Sequence, residues 1–321
     1  MNAAYVATRI SVIMPCYNAA AFVAEAVNCV MNQTYPDVEL IVIDDGSSDT
    51  SVEILQQLVT EHAPRLTLLF QDRMGPYPAR NLGLMHARGA RVAFLDADDY
   101  WTLDCLEKLA AAINTAEADL AYCGWQNVGV DAPGTEPYVP PDYALMDTAA
   151  EFLRACPWPI HAALVQHSAL DAVKGFSERR FSAMDYDLWL RLYAHTRKIV
   201  RVPEVMAFYR WHTMGQISRT KWKQVLDATQ VRHDFVTQHP ERVAHLAKNR
   251  IVELSDGFLL REAYRAYWQR KLVDAQKLFR LALVRGFWKA GDLKYLLPAL
   301  LPADWFQWLV NQSDRASAKR A

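Results

Sequence analysis

The 321-residue chain has no apolar run long enough to span a bilayer, no internal repeat and no low-complexity tract. That leaves out integral membrane, solenoid and disordered classes. It has five cysteines, Cys16, Cys29, Cys105, Cys123 and Cys156, none in a Cys-x-x-Cys pair. This excludes a zinc ribbon or a dithiol redox site. An odd, dispersed set of thiols with no signal peptide predicts reduced cysteines in a cytoplasmic protein. Net charge is almost absent, at −1. No Gly-x-Gly-x-x-Gly follows the first apolar strand and no Walker loop occurs, which argues against a dinucleotide-binding Rossmann domain and a P-loop ATPase. No nucleic-acid-binding module is recognisable, so no nucleic-acid partner is expected.

What is present is apolar and α/β in pattern. Hydrophobic residues make up 52% of the chain, enough to bury a full core. Short β-type segments at Arg9 to Met14, Val38 to Ile43, Leu66 to Phe70 and Arg91 to Leu95 alternate with helical stretches. A β-α-β-α-β-α-β order predicts a parallel sheet with a ligand crevice at its carboxyl edge. Polar residues cluster where those strands end. Asp44-Asp45-Gly46-Ser47-Ser48-Asp49 follows the second strand, with Ser48 or Asp49 placed to cap the next helix, and Asp96-Ala97-Asp98-Asp99 follows the last. Three carboxylates within four residues repel one another unless a cation neutralises them, and hard divalent ions such as Mg²⁺ or Mn²⁺ take carboxylate and phosphate oxygens. A solvated acidic loop leading into a helix near Thr102 is the alternative reading.

The charge is unevenly spread. Residues 1–221 carry 18 Lys+Arg against 26 Asp+Glu, whereas residues 222–321 carry 17 against 10. Strand signals stop near Lys221. Ala275, Leu278, Phe279, Ala282 and Leu283 then fall at helical spacing, and residues 253–267 read as an antiparallel partner helix. Trp305, Phe306 and Trp308 close the chain in a segment that fits either a packing or oligomer surface or a helix lying on the inner face of a membrane. A Pro-rich stretch, residues 131–142, reads as a flexible loop.

Four motifs in order, Ile13-Met14-Pro15-Cys16-Tyr17-Asn18, Asp44 to Asp49, Ala79-Arg80-Asn81-Leu82-Gly83 and Leu95 to Asp99, resemble the signature of family 2 glycosyltransferases. The resemblance covers roughly the first two-thirds of the chain. It implies a GT-A fold, an α/β Rossmann-like architecture with a mostly parallel central sheet and flanking helices, here followed by a helical C-terminal region. The expected division is a catalytic domain, 1–221, with a nucleotide-sugar half (1–125) and an acceptor-side half (126–221), then helices over 222–321. The resemblance further implies a nucleotide-sugar donor, a divalent metal, inversion at the anomeric carbon, and a glycan or lipid-linked acceptor in cell-surface polysaccharide synthesis.

Carried over residue by residue, Asp96 faces the ribose and Asp98 reaches the metal. Asp45 reads a pyrimidine base, favouring UDP or dTDP, and Pro15, Tyr17, Asn18 and Arg80 line the donor pocket. Phe181 to Leu192 resembles the acceptor-side motif, with Asp185 matching the general base and Met184 standing where the family usually has Glu. Asp187 is a candidate helix cap. Arg210 and His212 match an Arg-x-His, with His212 a further metal ligand and Arg210 near the diphosphate, and Gln216-Ile217-Ser218 falls in a donor-closing segment. Trp158 and His161 fall where the acceptor pocket begins, although packing is an equal reading for Trp158. Two other classes remain. A nucleotidyltransferase would need a basic, Gly-rich loop that Pro15 to Asn18 does not provide, and a non-catalytic nucleotide-sugar-binding protein would not need Asp96, Asp98 and Asp185.

Overall fold

The computed structural model describes residues 5–130, 132, 134–177, 182–212 and 221–318. Gln216-Ile217-Ser218 lies outside them. The chain divides into two units, residues 1–151 with 156–216, and residues 152–155 with 217–321.

The first unit begins with strict alternation: β1 (Val6–Cys16), α1 (Val23–Met31), β2 (Val38–Asp44), α2 (Ser51–His62), β3 (Leu66–Phe70), α3 (Pro76–His86) and β4 (Gly89–Phe94). Ile10, Val12, Ile13 and Met14 are all buried, so both faces of β1 are covered, as central strands of α/β sheets require. β1 pairs in parallel with β2 and β4, and β2 with β3. The register pairs Cys16 with Asp44 and Asp44 with Phe70, so the chain leaves these strands along one edge. The polar turns after them therefore share that edge. Gly83 lets α3 lie flat on the sheet, since a Cβ there would sit 2.5 Å from Ile13 Cγ2.

The remainder is β5 (Tyr100–Trp101), α4 (Cys105–Ala116), β6 (Leu120–Val128), α5 (Thr148–Arg154), β7 (Ala163–Gln166), α6 (His167–Ala172), α7 (Met184–His195) and β8 (Ile199–Arg210). Here the sheet becomes mixed, in the order β3-β2-β1-β4-β7-β6-β8-β5. β7 runs antiparallel to β4 and β6, and β5 antiparallel to β8, while β6 and β8 are parallel. Helix α4 starts at Cys105, slightly beyond the expected Thr102. The Pro-rich stretch is less free than its composition suggests. Tyr138 exchanges both backbone hydrogen bonds with Trp125 at 2.9 Å, and Tyr122 donates to the Pro141 carbonyl.

The second unit is helical: α8 (Lys221–Gln238), α9 (Pro240–Val243), α10 (Lys248–Trp268), α11 (Leu272–Arg285), α12 (Leu293–Leu296) and α13 (Ala303–Ala318). Helices α10 and α11 form the expected hairpin, closed over Ala263, Leu278, Phe279 and Ala282. Gly286, at φ 74°, ends α11 in the left-handed conformation that glycine adopts without strain. Among the described residues no helix is long and apolar enough to cross a membrane.

Candidate active site

The turns after β1, β2 and β3 are laced together. Asn18, in left-handed conformation, donates its backbone N–H to Ser47 Oγ, and its Oδ1 accepts from the Ser48 backbone N–H at 2.7 Å. Pro15 is buried beside Ile43, whereas Tyr17 is exposed with the Arg73 guanidinium 4.4 Å from its ring centroid. Asp49 does not cap α2 in the usual way. One of its oxygens accepts from the Ser51 backbone and hydroxyl and the other from Ala20 N–H, tying α2 to the β1 turn.

Asp45 is buried, and its carboxylate organises the loop after β3. Oδ1 accepts from the Gln71 amide at 2.6 Å and the Met74 N–H at 2.7 Å, and Oδ2 from the Gly75 N–H at 2.9 Å. A carboxylate offers about four lone-pair sites, so Oδ2 retains acceptor capacity. Gln71 and Arg73 were missed by sequence reasoning. Their signal was a third polar strand end, Gln71-Asp72-Arg73, overlooked between β3 and the more conspicuous Gly75-Pro76.

The acidic loop after β4 is held from three sides. Arg80, buried on α3, forms an ion pair with Asp96 Oδ1, points Nη1 at the Met184 sulfur 3.0 Å away, and leaves Nε without a hydrogen bond among the described residues. Asp98 Oδ2 lies 2.8 Å from His212 Nε2. Burial first, then the Asp96 charge, push the Asp98 pKa upward, and the His212 contact opposes them. Asp99 is buried and accepts the Arg210 backbone N–H at 2.8 Å, which fixes the loop to the end of β8. Desolvation and the Asp98 charge drive its pKa well above the ordinary range.

Asp98 with His212 provides one carboxylate and one imidazole, and His212 Nδ1 is buried without a hydrogen bond among the described residues. No group of three or more His, Cys, Asp or Glu suited to a metal occurs among them. Two protein ligands fit a hard divalent ion that completes its shell with phosphate oxygens and water.

Across the cleft, Asp185 lies in the first turn of α7, with Oδ1 accepting the Tyr186 N–H at 2.8 Å. It does not cap the helix. Burial raises its pKa, while the Tyr186 N–H and the Arg80 charge lower it and Asp96 raises it further. Arg80 and Asp96 thus act electrostatically on Asp185, bringing donor-side and acceptor-side residues into one field. Asp187 is no cap either, because it forms an ion pair with Arg191 one turn along the helix.

The three acceptor or diphosphate candidates sit among packing and ion-pair contacts. Trp158 is buried, stacked on Tyr122 at 4.2 Å and tilted against Trp189, so neither an acceptor sugar nor solvent reaches its face. His161 is also buried, 3.3 Å from Asp99 Oδ2, and desolvation lowers its pKa to about 4. The Arg210 guanidinium pairs with Glu25 and sits over Phe22 and Tyr100. Tyr209, not foreseen, stacks its ring on His161. Burial raises its pKa, and the charges of Asp99, Asp96, Asp98 and Asp185 raise it further.

Comparison with known proteins agrees with this geometry. The chain is 27% identical over 216 residues to the putative teichuronic acid biosynthesis glycosyltransferase TuaG of Bacillus subtilis, covering 67% of this chain and 83% of that protein. In fold, the chain is similar to S. aureus TarS 1–349 in complex with UDP-GlcNAc, with TM-score 0.64, 19% identity, and 96% of this chain and 92% of that one covered. It is also similar to the mannosyltransferase PcManGT from Pyrobaculum calidifontis in complex with GDP-Man and Mn²⁺, with TM-score 0.57, 18% identity, and coverage of 92% and 87%. The family profile described as glycosyl transferase family 2 matches residues 11–183, more than half of the chain, a span that contains all four motifs. The chain belongs to glycosyl transferase family 2.

Proposed function

We propose that the protein transfers a sugar from a nucleotide-sugar donor to a hydroxyl of a glycan or lipid-linked acceptor, with inversion at the anomeric carbon. The observation that carries this reading is the pairing of Arg80 with Asp96 and of Asp98 with His212, with Asp185 within electrostatic reach of Arg80 and Asp96. Asp185 removes the acceptor hydroxyl proton as the oxygen attacks the anomeric carbon, and the bond to the nucleoside diphosphate breaks with its electron pair on the leaving oxygen. Burial, which raises the Asp185 pKa, makes the carboxylate a stronger base than an exposed aspartate. Asp98 and His212 would hold a divalent cation, which would supply positive charge to the departing diphosphate. Arg80 holds Asp96 toward the ribose and moderates the anionic character of the cleft.

Tyr17, Asn18 and the loop organised by Asp45 form the nucleotide end, with the free lone pair of Asp45 Oδ2 available to the imide N–H of uracil or thymine. The UDP-GlcNAc complex of TarS supports a uridine donor, and the GDP-Man complex of PcManGT makes nucleotide choice a matter for measurement. The likeness to TuaG supports a surface-polysaccharide acceptor, and the five free thiols support a reducing, cytoplasmic setting. The test is a panel of nucleotide sugars with Mn²⁺ or Mg²⁺, read as released nucleotide and as the anomeric configuration of the product by NMR. Retention of configuration would overturn the single-displacement mechanism, and donor binding without any transfer or hydrolysis would favour a non-catalytic binder.

A further inference from the structure

Helix α13 carries apolar residues on two stripes. Phe306 and Val310 are buried in the second unit's core with Leu296 and Ala299, which accounts for the helix being there. Trp305, Trp308 and Leu309, spaced i, i+3 and i+4, lie on another stripe that the core does not use. Trp305 is 64% exposed and Trp308 55%. The turn before α13 repeats the pattern, with Leu296 and Ala299 buried while Leu297 and Leu300 are 54% and 56% exposed. Five large apolar side chains facing solvent along two consecutive segments exceed the scattered singles normal for a surface.

The surrounding charge identifies what covers them. Lys289 and Lys294 are exposed just upstream, Asp292 and Asp304 share that segment, and residues 222–321 as a whole hold 17 Lys+Arg against 10 Asp+Glu. Two copies meeting here would bring two net-positive regions together, whereas an anionic surface attracts a net-positive one. Tryptophan suits the boundary between headgroups and acyl chains, where its ring is buried and its N–H stays hydrated. We infer that the α12–α13 face is a peripheral docking surface for an anionic lipid bilayer, with Trp305 and Trp308 inserted into the interface and the lysines on the headgroups. The helix lies on the membrane and does not cross it, consistent with the lack of a spanning helix among the described residues.

The test uses the full chain, because truncating α13 would remove Phe306 and Val310 and open the core. Flotation with phosphatidylcholine vesicles, with and without phosphatidylglycerol, should recover protein only with the anionic vesicles, and less of it as salt rises. Vesicles with brominated acyl chains should quench tryptophan fluorescence. The double variant Trp305→Ser/Trp308→Ser should weaken binding about tenfold or more and lose that quenching, with its melting curve and nucleotide binding unchanged. Lys289→Glu/Lys294→Glu should weaken binding to anionic vesicles while leaving the melting curve in place. Absence of flotation at low salt would overturn the inference, as would flotation indifferent to the tryptophan substitutions. Sedimentation showing a dimer that the tryptophan substitutions split would also overturn it, assigning the face to a second copy.

Discussion

Replacing Asp98 with Asn should separate stability from metal use. The folded pKa of Asp98 is raised because its carboxylate is desolvated and faces Asp96. The folded state alone carries that penalty, so apo stability falls as pH rises from the unfolded pKa toward the raised folded one. Asn removes the buried anion, so Asp98→Asn in EDTA should melt at or above the wild type. The wild type should regain its deficit only when a cation and a diphosphate are bound together, because among the described residues Asp98 and His212 are just two candidate ligands. At a metal concentration about 100 times its dissociation constant in the presence of UDP, linkage adds about 2.7 kcal/mol. At about 2–4 °C per kcal/mol for a domain of roughly 200 residues, the melting temperature should rise by about 5–10 °C. Differential scanning fluorimetry across EDTA, Mn²⁺, UDP and Mn²⁺ with UDP measures each arm. An equal shift in Asp98→Asn and wild type, or a full shift with Mn²⁺ alone, would refute the two-ligand account.

Other expectations follow from particular contacts. Gly83→Ala should destabilise by about 1–3 kcal/mol through overpacking, despite alanine's better helix propensity, since its Cβ would meet Ile13 Cγ2 at 2.5 Å; an unchanged urea midpoint would contradict this. The acid limb of kcat/KM should lie above the ordinary aspartate pKa of about 3.9, because Asp185 must be ionised to accept a proton and its folded pKa is raised. A limb at or below that value would remove Asp185 as the base. Calorimetry should find UDP and dTDP bound more tightly than GDP, and Asp45→Ala should weaken all three by loosening the 71–75 loop held through Gln71, Met74 and Gly75. Tighter GDP binding would overturn the pyrimidine assignment.

The parallel half of the fold was legible because β1 and β2 are buried runs rich in β-branched residues, and all four parallel strands end in polar turns. That pattern singles out Asp45, Asp96 and Asp98 as candidates, and the structure sets them at the ends of β2 and β4. The antiparallel half was less so, since β5 spans two residues and β7 four, too short for periodicity to register. Trp158 and His161 show why residue type does not decide a site. An aromatic residue or a histidine near an expected cleft can face the core, and only tertiary packing against Tyr122, Trp189 and Asp99 reveals it. Arg210 is a similar case, because Glu25, Phe22 and Tyr100 meet its guanidinium from segments distant in sequence. Trp305, Phe306 and Trp308 could be read as packing or as surface, and the structure divides them, with Phe306 inside and both tryptophans outside.

The central claim, that Asp185 is the base of a transfer reaction whose donor site it does not build, is tested most directly by Asp185→Asn. The amide keeps the shape and the acceptor for the Tyr186 N–H while removing the basic oxygen. Turnover with the best donor and acceptor should fall by about 10²-fold or more, with the donor dissociation constant measured by calorimetry within about twofold of wild type. Retained turnover with collapsed donor affinity would contradict the account and assign Asp185 to the donor pocket.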